Sequence, residues 1–362
     1  MFKLFIVYII NNMSISVSIN NRLVGEDYPP LIIPEIGINH EGDYDKAIML
    51  IDSAIDSGAE VVKFQCHITE HEMLETDMKP GDISDETLWD IIKRCELTEK
   101  EEASIVKYCK QRKVIFLSTP FSREACDRLV RLGAEAFKIG SGECNNYPLI
   151  SHIASKKKAI ILSTGMNDIK SIQKSVSIIQ SQNCPLIIMH CTSMYPTPYN
   201  KVRLGAITEL KNLYPDIPIG LSDHSLGIAS ALGSVALGSC VIEKHYTISR
   251  TWPGPDTGIS IEPMELKTLI NDSRIIWECR GGNKSILEEE KPVIEFAYAS
   301  IVSIKNIKKG DTFSHENIWV KRPGNGDLLS DKFEKVIGTK ACRNIDSDTQ
   351  ISYKDLEKKI DF

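Results

Sequence analysis

The sequence predicts an α/β protein: a (β/α)8 TIM barrel followed by a small β-rich module. Three observations predict it. Eight short apolar, β-branched runs alternate with helix-period segments between Leu31 and Tyr246, as a closed parallel sheet with an outer helical ring requires. No G-x-G-x-x-G stands after any of these runs, which argues against a doubly wound open sheet. Beyond the last helical segment the pattern changes to short strands broken by G-D and G-N-G turns.

The first run, "LIIPEIGIN" (31–39), is followed by "YDKAIMLIDSAIDSG", whose apolar residues recur at three and four, the spacing of a one-sided helix. "EVVKFQ" (60–65) comes next, then a long segment, 66–98, that exceeds an ordinary βα loop. Such insertions commonly cover an active site. "TEKEEASIVKYCKQR" leads to "VIFLST" (114–119), and "SREACDRLVRLG" to "AFKIGS" (136–141). "AIILST" (159–164), the helix "KSIQKSVSIIQSQ" and "PLIIMHCT" (185–192) continue the alternation. "IPIGLSD" (217–223), a Gly/Ala-rich helix over 226–238 and "CVIEKHY" (240–246) complete it. Several helices open at Ser, Thr or Asp and end at Gly. The expected division is an N-terminal extension (1–30), the barrel (31–284), a charged linker (285–300) and the small module (301–362).

The chain has 362 residues, a formal charge of −6 and no dense Lys/Arg run, so it offers no nucleic-acid surface. An anionic substrate must be held by a few placed cations. The ten cysteines are scattered without a C-x-x-C, which reads as reduced thiols of a cytoplasmic protein. "MFKLFIVYIINN" is too short to span a membrane. It carries one lysine and no small-residue cleavage site, so Met13 is the expected working start.

Barrel chemistry sits at the carboxyl ends of the strands. There the sequence places Glu35, Asn39 and His40, then Lys63 and Gln65, Ser118 and Thr119, and Lys138, Ser141 and Glu143. Ser163 and Thr164 follow, then His190, Thr192, Ser193 and Tyr195, then Ser222, Asp223 and His224, and finally Glu243 and His245. Lys63 and Lys138 interrupt apolar strands, where an ammonium is costly to bury unless paired or ligand-bound. They form either a phosphate or carboxylate cradle, with Ser141 and Ser222 adding donors, or structural ion pairs with neighbouring glutamates. His224 and His245 end neighbouring strands, and two imidazoles there suit a substrate-completed Mn²⁺, Co²⁺ or Zn²⁺ site better than a structural zinc.

The stretches "PEIGINHEG", "VVKFQCH", "STPFS", "KIGSGECNNYPLI", "ILSTGM", "CTSMYPTPY", "GLSDHS", "EKHYT", "GPDTGISIEP" and "VKRPGNGD" occur in this order. The chain resembles, from Leu31 to its end, the bacterial sialic acid synthases, which condense phosphoenolpyruvate with N-acetylmannosamine to give N-acetylneuraminate. The resemblance implies a barrel with a C-terminal antifreeze-like (SAF) domain. It implies that His224 and His245 hold a divalent metal, Mn²⁺ in the first place with Co²⁺ or Mg²⁺ as alternatives. Lys63, Lys138, Ser141, Ser193 and Ser222 would bind phosphoenolpyruvate, and Glu35 and Glu243 would act on the reacting centre. Gln65, Glu143, Tyr195, Asp256 and Arg322 would surround an N-acylated aldose. A domain-swapped homodimer, in which Arg322 caps the partner's sugar site, is implied as well.

Two departures stand out. Ser193 replaces an asparagine before "MYPTP", and "DMKPGDISDETLW" lacks an asparagine that some relatives turn to the sugar. A related synthase, such as one making legionaminic acid, is the alternative, and "EIGINHEG" favours those two branches over the pseudaminic one. A metal-dependent class II-type aldolase would leave Lys63 and Lys138 surplus. A non-catalytic glycan-binding protein would not need so many polar groups at strand ends.

Overall fold

A computed structural model describes residues 15–80 and 85–357; Met13 and the start of the chain lie outside the described residues, as does part of the 77–89 insertion. Before the first expected barrel strand lies a hairpin that the extension 1–30 was not expected to contain. Strands β1 (Ser16–Ile19) and β2 (Arg22–Gly25) pair antiparallel. Asn20 and Asn21 join them at φ 48° and 67°, the two-residue turn whose twist suits a hairpin and for which asparagine is tolerated. Val17, Ile19 and Val24 share an apolar cluster with Leu31, Ile33, Val61, Leu117, Ile161 and Met189. The hairpin thus closes the amino-terminal end of the barrel.

The eight expected runs form eight parallel strands: β3 (Leu31–Gly37), β4 (Val61–Cys66), β5 (Ile115–Pro120), β6 (Ala136–Ile139), β7 (Ala159–Ser163), β8 (Leu186–Cys191), β9 (Ile219–Asp223) and β10 (Val241–His245). Their ladder order is β5-β4-β3-β10-β9-β8-β7-β6, and β5 and β6 lie side by side to complete the ring. Alternation assigns the faces. On β4, Val61 belongs to the interior cluster, while Val62, Phe64 and Cys66 join the cluster under the helices. Lys63 and Gln65 therefore point inward with Val61. Ile33, Leu117 and Ile161 form an apolar floor beneath the polar layer, and burying each such side chain contributes about 1.5–3 kcal/mol.

The surrounding helices start where the sequence supplies caps. Asp43 accepts from the Lys46 N–H at 3.1 Å to open helix Tyr44–Asp56, and Thr98 with Glu101 forms a capping box for Glu99–Arg112. The Gly/Ala-rich stretch forms helix Ala229–Ala236 between β9 and β10. Among the described residues no helix is long and apolar enough to cross a membrane.

The chain divides into two compact units at Gly281/Gly282, a little before the expected 284/285 boundary. The expected linker belongs to the second unit and contains a helix, Lys291–Ala297. That unit pairs β11 (Ser300–Ser303) with β12 (Ile318–Lys321) antiparallel. Isolated bridges such as Ile307–Ile345 add to it, over a core of Ile301, Phe313, Ile318, Leu328 and Val336.

Candidate active site

Strand β3 delivers its carboxylate through an irregularity. Glu35 pairs in register with Lys63, but Gly37 pairs with Phe64, so one residue is extra between them; such bulges re-aim side chains beside active sites. Gly37 has φ 55°. A Cβ there would stand 3.2 Å from Gln65 Nε2, 3.3 Å from Glu35 Oε1 and 3.7 Å from Asp256 Oδ2. Glycine keeps this narrow space free.

The inward residues of β3, β4, β6 and β10 form one ionic cluster. Lys63 Nζ lies 2.7 Å from Glu35 Oε2 and 3.8 Å from Glu243 Oε2, and donates to Thr119 Oγ1 at 3.1 Å. Lys138 Nζ lies 3.3 Å from Glu243 Oε1, which also accepts from Ser222 Oγ at 3.2 Å. Gln65 Nε2 donates to Glu35 Oε1 at 3.0 Å. Burial opposes the charge on Lys63, but Glu243 and Glu35 hold its pKa above the ordinary value. Burial pulls Lys138 down against the attraction of Glu243. Burial pushes Glu35 up, with Lys63 opposing; on Glu243 the two lysines win and the pKa falls. Burial and then Glu35 raise Asp256 to about 6. Both lysines are thus paired with glutamates, and those glutamates themselves belong to the predicted site. The structure thus shows the ion-pair alternative, made with glutamates of the predicted site itself.

His224 and His245 come together at the barrel mouth, ring centroids 5.4 Å apart. His224 Nδ1 lies 3.1 Å from the Thr192 carbonyl oxygen, which only accepts, so Nδ1 carries the hydrogen and Nε2 of the neutral ring keeps its lone pair. Burial opposes a charge on His224, but Cys191 holds its pKa above the ordinary value. His245 Nδ1 is buried without a hydrogen-bond partner and lies 3.5 Å from Asp256 Oδ2. Burial, with His224 and the lysines nearby, keeps His245 well below its ordinary pKa and neutral. Two imidazoles, one orphaned ring nitrogen and an adjacent carboxylate fit a divalent ion of borderline softness. A denser ligand group, Cys126, Asp127 and His152, is an ion-pair cluster in which Lys156 lies 2.6 Å from Asp127.

Tyr195 stacks on His224 at 4.2 Å. Ser141 and Ser193 meet around Gly165, just past β7: Ser141 Oγ accepts the Gly165 N–H at 3.0 Å. A Cβ at 165 would collide with Ser193 Oγ and stand 2.8 Å from Ser141 Oγ. Glu143 is half-buried and accepts from Asn146 Nδ2 at 2.6 Å, apart from the ionic cluster. Arg322 lies in the second unit, exposed after β12. His190, named with the strand-end residues, faces away from the site: its Nε2 bonds the Val202 carbonyl at 2.7 Å.

Two strand-end residues that the sequence placed without a role, Thr119 and Ser163, and two that it did not place there, Gly165 and Cys191, also contribute. Thr119 bonds Lys63, and Ser163 Oγ is buried without a partner on the inward side of β7. Gly165 makes room for two serines. Cys191, read only as a buried thiol, lies 3.8 Å from both Ser193 Oγ and His224 Nδ1. Alternation along "IILS" and "LIIMHC" was the signal for Ser163 and Cys191.

The NeuB family profile matches residues 50–285 and the SAF domain profile residues 298–357. The N,N'-diacetyllegionaminic acid synthase of Campylobacter jejuni is 39% identical over 333 residues, 89% of this chain and 98% of that one. Human N-acetylneuraminate-9-phosphate synthase is 30% identical over 345 residues, 94% of this chain and 95% of that one. The crystal structure of N-acetylneuraminic acid synthetase from Leptospira borgpetersenii, in complex with citrate, superposes with a TM-score of 0.71 at 34% identity, covering 78% of this chain and 96% of that one. A parallel barrel with a cage of two lysines and two glutamates beside a histidine pair, matched along nearly its whole length by sialic- and legionaminic-acid-type synthases, belongs to the NeuB family, with a SAF domain at its carboxyl end.

Proposed function

We propose that the chain is a phosphoenolpyruvate-dependent nonulosonic acid synthase. It condenses phosphoenolpyruvate with N-acetylmannosamine and water to give N-acetylneuraminate and phosphate. The observation that carries this reading is the buried cage of Lys63, Lys138, Glu35 and Glu243 beside the histidine pair. An aldolase working on a neutral donor has no use for two ammoniums held at the floor of its site.

The lysines, with Ser141, Ser193, Ser222 and Ser163, receive the phosphate and carboxylate of the trianion. C3 of phosphoenolpyruvate attacks the aldehyde carbon of the open-chain sugar, and positive charge develops at C2 beside Glu35 and Glu243. Water adds at C2, and the tetrahedral centre expels phosphate together with the bridging oxygen. Gln65, Tyr195, Asp256 and Glu143 line the sugar side. His224 and His245 would hold a divalent ion, with Mn²⁺ the first choice, and such an ion would supply Lewis acidity toward the sugar carbonyl. Charge balance supports that ion. Two ammoniums already face three carboxylates, Glu35, Glu243 and Asp256, which leaves no positive surplus for a trianionic substrate. A dication supplies it.

A related aldose, the precursor of legionaminic acid, is the second reading, favoured by the 39% identity to the Campylobacter enzyme. Phosphate release with each aldose decides between them. Phosphoenolpyruvate labelled with ¹⁸O in the bridging position tests the chemistry: the label should leave with phosphate, and label kept in the sugar acid would mean attack at phosphorus. A domain-swapped homodimer in which Arg322 reaches the partner's sugar belongs to the same proposal. It rests on the motif "VKRPGNGD" and on the exposure of Arg322.

A further inference from the structure

His67 stands just past β4, and its side chain and that of Glu72 are 3% and 8% exposed. His67 Nδ1 meets the two Glu72 carboxylate oxygens at 2.9 and 3.0 Å. Its Nε2 meets Gln65 Oε1 at 3.0 Å, and its ring is stacked on Phe121, centroids 4.5 Å apart and planes 10° from parallel. Gln65 passes the contact on, donating from Nε2 to Glu35 Oε1 at 3.0 Å. A continuous chain thus runs from Glu72 through His67 and Gln65 to Glu35 and Lys63.

A glutamine amide has two nearly isosteric orientations, and nothing in Gln65 itself chooses between them. Glu35 chooses in part, because a flipped amide would set Gln65 Oε1 against a carboxylate oxygen. His67 chooses from the other side: the Glu72 carboxylate oxygens at Nδ1 and Oε1 at Nε2 all only accept, so the two contacts together call for a ring with a hydrogen on each nitrogen, and such a ring admits only Oε1 at Nε2. Glu72 and Phe121 in turn fix the ring in position and angle. With Oε1 engaged, both amide hydrogens face Glu35 and the space over Gly37 that Asp256 also borders.

We propose that His67 and Glu72 are positioning residues that lock the Gln65 amide with its N–H groups presented to Glu35 and to an oxygen of the acyclic aldose. The proposal deepens the synthase reading and rests on it. Histidine variants separate the two ring nitrogens. Asparagine keeps a donor near the Nδ1 position, toward Glu72. Glutamine keeps one near the Nε2 position, toward Gln65.

The test measures kcat and both KM values for His67→Gln, His67→Asn and Glu72→Gln, with thermal unfolding and phosphoenolpyruvate affinity as controls. His67→Gln should retain kcat within about threefold, while His67→Asn should lose about tenfold or more, since small displacements of a reacting group are expensive. The KM for phosphoenolpyruvate should hold in both. Glu72→Gln should lower kcat by an intermediate factor. Equal kcat in the two folded histidine variants would overturn the lock. If neither histidine variant folds, an unchanged kcat in Glu72→Gln would overturn it. Wild-type turnover with an N-acylated aldose tests the synthase reading separately, so the two failures are distinguishable.

Discussion

Replacing Lys244 by Met should destabilise the barrel by about 3 kcal/mol, the low end of the range for breaking a buried ion pair. Lys244 lies on β10 between Glu243 and His245, with its side chain turned out of the barrel into the helix layer and fully buried. Its Nζ lies 2.9 Å from Asp223 Oδ2 and also donates to the Ser225 carbonyl. In the variant, Asp223 would keep only the Ser225 N–H at 3.0 Å and the Ser230 hydroxyl at 2.8 Å. Those two donors keep the loss at the low end, because hydrogen bonds to a charged group are worth about 1.5–3 kcal/mol each. Burial already lowers the Lys244 pKa against the pull of Asp223, so part of the ion pair's Coulomb gain is spent on desolvation. Urea unfolding followed by circular dichroism at neutral pH measures the difference. The double variant Asp223→Leu/Lys244→Met should recover part of the loss, since an apolar pair leaves no buried charge. A Lys244→Met loss below about 1 kcal/mol, or a double variant as unstable as the summed singles, would refute the ion pair as a brace.

Asp256→Asn should stabilise the metal-free protein at neutral pH while damaging activity. The folded-state pKa of about 6 against 3.8 means that ionised Asp256 costs about 3 kcal/mol. Wild type and variant should match below pH 4, diverge between about pH 4 and 6 and stay apart above it; urea unfolding with chelator present checks this, and a pH-independent gap would contradict it. Gly165→Ala should raise the KM for phosphoenolpyruvate tenfold or more, on the order expected for misplacing a binding group, because the methyl collides with Ser193 and Ser141. Steady-state kinetics with a melting curve as control checks that. On the proposed two-histidine site, His224→Ala should weaken Mn²⁺ binding, measured by calorimetry, by about 100-fold or more. Refolding His224→Ala with Arg322→Ala, each nearly inactive alone, should restore activity through the lesion-free site of a mixed dimer. Mixed dimers that form and remain inactive would exclude Arg322 from the partner's site.

Much of the barrel is readable because each strand advertises itself twice, by its β-branched run and by the capped helix that follows. The hairpin before it is harder to read. "SVSI" and "RLVG" are four-residue strands, too short for alternation to stand out, and their turn is Asn-Asn, without the glycine that marks the strongest hairpin signal. The helix Lys291–Ala297 is obscured in the same way by a charged, proline-bearing stretch that reads as linker.

The site divides along a different line. Which residues face the barrel interior follows from alternation, and Lys63, Gln65, Ser222, Glu243 and His245 are placed correctly by it. Which of them touch does not follow, because contacts across strands depend on register, and β3 shifts register between Glu35 and Gly37. The sequence therefore leaves the lysines between a cradle and ion pairs, and the fold shows the ion pairs, made with Glu35 and Glu243. Residues that support others are the least visible. Asp223 and Lys244 each sit next to a predicted metal ligand on the opposite strand face, and His67 sits two residues beyond Gln65. Sequence marks them only as neighbours of chemistry. The distances show what the neighbours do. On one face of β9 and β10 the histidines meet across the mouth, and on the other a buried ion pair ties the same two strand ends together. A fault in that tie should therefore displace the histidine pair, and with it the metal site proposed there.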